Sequence, residues 1–236
     1  MSAVKVNPTP KLDRDGINRI IQVLGFLLVT GGILFACAGR LAWIEAWVFL
    51  SIYLAGVLLN GLWTLRHDPG LINERGRIGP NAKSWDKIIG LIYTVLLLGT
   101  MIVSGLDARF GWSTAPLWVK IIGGIGVALS LGMTFWVMTA NTFLSSIVRI
   151  QDDRGHQTVT QGPYQFVRHP MYAGLLFMFW SIPLLLGSWS ALIPSALNTI
   201  LFVVRTALED RTLQAELPGY KEYVQQVRCR LIPGIW

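Results

Sequence analysis

Four stretches of this chain, 17–39, 43–65, 87–106 and 117–140, run for about twenty residues each with almost no charge, the length a helix needs to cross a hydrocarbon core. Lipid offers no partner to a free backbone amide, so segments of this kind must pair their amides internally and become helices. Composition agrees: 53% of the 236 residues are hydrophobic and 14% are charged, where a water-soluble domain carries about 25% charge. Ten Trp and 24 Gly fit as well, since aromatics gather at bilayer interfaces and Gly is common in membrane helices. The fold class this predicts is all-α, a polytopic transmembrane helical bundle.

A fifth apolar stretch, 172–204, is too long for one span and is broken near its middle by Gly187-Ser188, with Pro183 and Pro194 on either side. Gly supplies the turn and Pro distorts a helix, so the reading is a C-terminal helical hairpin with arms at about 172–186 and 189–206. Both arms are short enough to dip or tilt rather than cross fully. Basic residues alternate between loops: Lys5, Lys11, Arg14 and Arg19 come first, then Arg66, Arg75, Arg77, Lys83 and Lys87, then Arg149, Arg154 and Arg168, with poorer loops between. By the positive-inside rule both termini are cytoplasmic, and four spans plus the hairpin close the topology. Residues 1–140 then form N-terminal transmembrane helices. Residues 141–236 form a second region with a cytosolic loop, the hairpin and a cytosolic C-terminal segment.

Several function classes are excluded. The formal charge of +7 lies in short loops beside apolar spans, which points to membrane topology and not to nucleic acid. Cys37 and Cys229 are too far apart to suggest a disulfide framework or zinc cluster, and His67, His156 and His169 show no metal-binding spacing, so no metal is expected. The polar first sixteen residues and the long apolar run after them do not read as a cleavable signal peptide. Gly123-Gly124-Ile125-Gly126 lies inside a span and lacks the third Gly of a dinucleotide fingerprint, so small residues there let helices approach closely.

Polar chemistry is concentrated after residue 141. The segment Asn141–Tyr172 gathers Asn141, Arg149, Asp152, Asp153, Arg154, His156, Tyr164, Arg168, His169 and Tyr172, with a Gly162-Pro163 turn and Pro170 opening the hairpin's first helix. That puts Arg168 and His169 at a helix N-terminus, whose spare amides favour a carboxylate. The same pair is also suited to lipid headgroups. Beyond the hairpin Arg205 and Glu209 are four apart and share a helix face. They either pair with one another or divide, Glu209 meeting a cation and Arg205 an anion.

GPYQFVRHPMYAG, then RTALED after the hairpin, then GYKEYVQQVRCRLIPGI, resembles the isoprenylcysteine carboxyl methyltransferase family, which is related to membrane phospholipid methyltransferases. The resemblance spans about 141–235. It implies an integral membrane methyltransferase that uses S-adenosylmethionine, bound in a cytosolic pocket, to methylate a lipophilic acceptor taken from the bilayer. Carried over residue by residue, the family's His-x-x-Val element is His156, Gln157, Thr158 and Val159. Its Gly-x-Tyr tyrosine is Tyr164, and its His-Pro-x-Tyr element is His169, Pro170, Met171 and Tyr172. Its cofactor glutamate is Glu209, and the arginine facing the methyl acceptor is Arg205, so Arg205 and Glu209 are the catalytic pair and Arg205 binds substrate. Three positions depart from the pattern: Arg149 stands where a cofactor-contacting Gln is usual, Glu209-Asp210 replaces Glu-Glu, and Leu217-Pro218-Gly219 replaces Phe-Gly.

Methyl transfer is an in-line displacement needing little acid–base help, so positioning and desolvation would carry it. Two other readings compete. A sterol-type membrane reductase with a similar C-terminal half would bind NAD(P)H, and would want more Arg and Lys in the tail than this chain offers. A non-enzymatic scaffold or small transporter is the other, and a transporter should bury ionisable groups in mid-span.

Overall fold

The computed structural model describes residues 11–77 and 83–236, and all its regular elements there are helical. Lys5, used above for topology, lies outside the described residues, as does 78–82 of the second loop. The helices are α1 (Arg14–Ala38), α2 (Ile44–His67), α3 (Pro69–Gly76), α4 (Ser84–Phe110), α5 (Leu117–Ala140), α6 (Pro170–Leu186), α7 (Leu192–Glu216) and α8 (Tyr220–Gln226). Two short 3-10 turns, Asp152–Arg154 and Gly162–Gln165, punctuate the long connection between α5 and α6.

Helix ends follow local chemistry. The Asp13 carboxylate accepts from the Gly16 amide at 3.0 Å and starts α1. Asp68 does the same for Leu71 at 3.0 Å, with Pro69 in the first turn, and so starts α3 directly after α2. Gly187 takes φ of 75° and ends α6, as its place between the apolar arms predicts.

Five helices, α1, α2, α4, α5 and α7, are long and apolar enough to cross a membrane. The hairpin is present but asymmetric. Its first arm, α6, is short at 17 residues and carries Pro183 inside; its second, α7, is 25 residues and is no short arm. The helix continues past 206 because Thr206, Glu209, Asp210 and Leu213 all find partners on its inner face, so its polar end is packed and does not fray. Helix α3 was not expected; its buried Leu71, Ile72, Asn73 and Glu74 fold the second loop back against α1.

Neighbouring helices close a ring in the order α1, α2, α5, α6, α7, α4. The tightest contact is α5 against α6, and the small residues of α5 make it possible. A Cβ on Gly123 would lie 2.2 Å from the Leu185 amide nitrogen, and one on Gly126 would lie 2.2 Å from Ser181 Oγ. One apolar cluster, including Leu34, Phe49, Met101, Val127 and Ile182, fills the far end of the ring. A second, of Val137, Tyr164, Leu217, Tyr220 and Tyr223, sits under the C-terminal segment. Gly123→Val is expected to destabilise the protein by about 1–3 kcal/mol, since backbone on α6 cannot yield to the new side chain. Gly124→Ala, whose Cβ would meet Leu185 Cδ1 at 3.5 Å, should be nearly silent. Thermal unfolding of both variants in detergent checks this, and equal melting temperatures would refute the close-packing account.

Candidate active site

Asp210 on α7 is wholly buried, and its carboxylate organises the polar end of the ring. Arg168 donates to it through Nε and Nη2 at 2.8 and 3.0 Å, and Arg230 Nε, Tyr220 Oη and Gln214 Nε2 donate at 3.0, 3.0 and 2.8 Å. His169 Nε2 lies 3.3 Å from the same carboxylate. The remaining Arg168 nitrogen holds the carbonyls of Val227 and Arg228, while the Arg168 and His169 amides donate to Cys229 and Arg230 carbonyls. The start of α6, the end of α7, α8 and the C-terminal segment therefore meet at one carboxylate. Arg168 is fully engaged inside the protein and is not free for a ligand carboxylate, because its charge already has a buried partner.

A cavity of about 980 Å³ lies inside the ring, beyond this knot. Every residue carried over from the sequence lines it: His156, Gln157, Thr158, Val159, Tyr164, His169, Pro170, Met171, Tyr172, Arg205 and Glu209. The loop from 141 to 169 supplies one wall. Its Tyr164 hydroxyl accepts from Asn141 Nδ2 at 2.8 Å, Thr158 Oγ1 donates to the Pro218 carbonyl at 3.0 Å, and the His156 ring packs on Phe143 with centroids 4.9 Å apart. The other wall is the α6/α7 pair. His169 and Tyr172 stack in parallel at 5.8 Å, and the Tyr172 hydroxyl donates to Glu209. One Glu209 oxygen is held in this way, and the side chain faces the cavity.

Arg205 and Glu209 share a face but do not pair with each other. Arg205 Nε donates to Asp86 Oδ1 at 2.9 Å, its Nη2 reaches the Ser146 carbonyl at 3.4 Å, and its guanidinium lies over the Tyr172 and Phe202 rings at 5.2 and 5.5 Å. Asp86, in the first turn of α4, also accepts the Val148 amide at 2.8 Å and so ties the loop to α4 and α7 together. The anion that Arg205 meets is first of all Asp86, which neutralises part of a guanidinium that would be costly at that depth. Arg149 is likewise engaged, forming a two-point pair with Glu74 at 2.9 Å on both nitrogens and reaching Asp153 at 3.1 Å. Asp86 and Glu74 were not singled out from sequence, and Asp210 stood out only as a departure from a Glu-Glu pair, not as a hub. The available signal was an acidic side chain at the edge of an apolar run, where burial demands a partner.

Electrostatics fix protonation in the loop. Burial, reinforced by Arg154 and Arg149, lowers His156 to about 4, so its imidazole is neutral at physiological pH. Burial pushes the Tyr164 and Tyr220 hydroxyls well above their ordinary range, keeping both as neutral hydrogen-bonding groups.

This loop, hairpin and glutamate constellation falls inside a recognisable unit: residues 123–215 match the Isoprenylcysteine carboxyl methyltransferase (ICMT) family. Over that region the chain is similar to the isoprenylcysteine carboxyl methyltransferase family. Two curated relatives are similar in the same way. Methanethiol S-methyltransferase 1 of Bradyrhizobium diazoefficiens is 42% identical over 72 residues, 30% of this chain and 24% of that protein. Protein-S-isoprenylcysteine O-methyltransferase B of Arabidopsis thaliana is 30% identical over 95 residues, 39% of this chain and 47% of that protein. The matched stretch spans less than half the length of either relative. The matched region supplies most of α5, the loop, α6 and α7; the rest of the cavity is built by α1 to α4 together with Leu217, Tyr220 and Tyr223.

The depressed His156 makes a pH prediction. Between about pH 4 and its ordinary value of about 6.5, the unfolded chain binds a proton there that the folded chain does not, so stability from this residue is complete above about 6.5 and is lost as pH falls toward 4. His156→Asn should flatten the fall in melting temperature between pH 6.5 and 4.5 relative to wild type; parallel curves would contradict a buried neutral imidazole.

Proposed function

We propose that this chain is an integral membrane methyltransferase that uses S-adenosylmethionine to methylate a lipophilic acceptor. The observation that carries this reading is a single cavity whose polar end holds all the family's cofactor positions and whose other end is apolar. Its volume is near the upper limit of ordinary small-molecule sites, enough for a nucleoside cofactor and an acceptor side by side. The relatives' names include both an S- and an O-methyltransferase, so sulfur and oxygen acceptors both belong in the assay.

The residues present suit the cofactor. Glu209 offers a carboxylate to a cationic group, and the stacked His169–Tyr172 pair with the neutral His156, Phe143 and Tyr164 offers aromatic walls to a purine. When bound, adenosylmethionine supplies a methyl group on a positively charged sulfur. Tyr172 orients Glu209 by hydrogen bonding, and Asp86 orients Arg205 from the opposite side. Arg205 keeps its Nη1 without a protein partner among the described residues, so that edge is available to an electron-rich acceptor group. Closure by α8 and the C-terminal segment limits water around the reacting groups. We place both termini and the polar end of the cavity in the cytosol, where the cofactor is found.

The acceptor would enter from the lipid. Leu24 of α1 and Leu58 and Leu62 of α2 line the cavity and are each more than a third exposed, which supports a side opening between α1 and α2. The defining experiment is transfer of tritiated methyl from adenosylmethionine into a membrane lipid extract by the purified protein, with the product identified by mass. No transfer and no cofactor binding would end this reading.

Two variants test the roles. Glu209→Gln should weaken adenosylmethionine binding by about 1.5–3 kcal/mol, the range for a hydrogen bond to a charged group; wild-type affinity by calorimetry would remove Glu209 from the cofactor site. Arg205→Lys keeps charge but loses the fork shared between Asp86 and the acceptor, so turnover should fall at least about tenfold with little change in cofactor affinity. Asp86→Asn should lower turnover in the same direction, and the double variant should lose less than the product of the two effects.

A further inference from the structure

Two arginines on the cavity wall are outside everything described so far. Arg19 of α1 and Arg75 of α3 both line the cavity, and neither has a carboxylate partner among the described residues. Residues 1–10 and 78–82 contain no Asp or Glu that could supply one. Every other cation without a carboxylate partner among the described residues is exposed, except Arg154, which donates to Gln151. Arg19 lies against the end of α3, where a Cβ on Gly76 would meet Arg19 Cβ at 3.2 Å, and Tyr53, Tyr93, Tyr164 and Tyr172 line the same cavity. Burial, with the like charge of Arg19 adding to it, lowers Arg75 to about 10. Two half-buried guanidinium groups on neighbouring elements of one cavity wall, neither with a carboxylate partner among the described residues, make an arrangement that an incoming anion would relieve.

Position along the cavity says which ligand. The pair sits between the loop residues at the polar end and an apolar arm running inward past Leu27 and Thr30 of α1, Phe49 of α2 and Met101 of α4. From Arg19 to Thr30 the arm follows about 16 Å of helix, enough for an extended chain of about a dozen carbons. We propose that Arg19 and Arg75 form an anion clamp that holds the acidic end of the acceptor, so that the acceptor is an amphiphile with one compact anionic group and an apolar chain lying in the α1/α2/α4 arm. The proposal rests on the methyltransferase reading for the word acceptor, but the clamp itself is a binding property. It lies wholly outside the 123–215 region that carries the family match. A carboxylate and a phosphate share the chemistry the two forks recognise.

The test is equilibrium binding to the full chain in lipid nanodiscs at pH 8, using dodecanoate, dodecyl phosphate and uncharged dodecanol, with empty nanodiscs as control. Wild type should bind at least one of the two anions at least about tenfold tighter than dodecanol, and the tighter anion identifies the acidic group. Arg75→Gln and Arg19→Gln should each lower anion affinity at least about tenfold while leaving dodecanol and adenosylmethionine affinities within about twofold, and Arg75→Lys should recover part of the loss. Equal wild-type affinities for the anions and dodecanol would overturn the clamp without any variant having to fold. Loss of adenosylmethionine binding in the Gln variants, with anion binding intact, would overturn it too, because the arginines would then belong to the cofactor side. Failure of the methyltransferase reading looks different: wild type would not bind adenosylmethionine, yet would still prefer the anion.

Discussion

A carboxylate buried from water in a membrane protein must be surrounded by donors or be neutralised, and Asp210 is surrounded. Its partners come from the start of α6, the end of α7, α8 and the C-terminal segment, so one carboxylate joins four separate pieces of the chain. Removing the charge would leave Arg168 and Arg230 as uncompensated cations at the same point. The knot therefore fixes where α6 begins relative to where α7 ends, and that spacing sets Tyr172 against Glu209. The polar end of the cavity inherits its shape from Asp210 without Asp210 lining it.

The apolar end has a different origin. Glycines on α5 bring α6 into backbone contact, while residues of α1, α2 and α4 line the apolar arm of the cavity. Asp86 and Glu74 then tie this half to the loop, through Arg205 and the Val148 amide in one case and Arg149 in the other. The two halves of the cavity are thus joined by ion pairs that cross from α3 and α4 to the family region. A change in α1 to α4 can alter what the cavity accepts without touching the residues around Glu209.

Much of this was legible in the residues. Apolar runs of spanning length dictate helices because lipid leaves backbone amides no other partner, and Gly187 marks the turn because it alone takes the left-handed conformation without strain. The cavity-lining set from His156 to Tyr172 and from Arg205 to Glu209 was readable because the local motifs are dense and specific. The sequence did not show α3, the full length of α7, or the partners of Arg205, Arg149 and Arg168. Those pairings join residues 119, 75 and 42 positions apart, and no local pattern encodes which acidic side chain meets which guanidinium.

What the sequence determined alone, then, was the helical class, the approximate spans and the chemical character of the region after 141, since each follows from short-range propensity, hydropathy and spacing. Only the tertiary structure decided how charges are neutralised: which arginines are engaged by Asp86, Glu74 and Asp210, and that Arg19 and Arg75 face the cavity with no carboxylate of their own. The reason is physical. Burial of a charge is a property of the packed ring as a whole, and a guanidinium's partner is set by where distant helices cross.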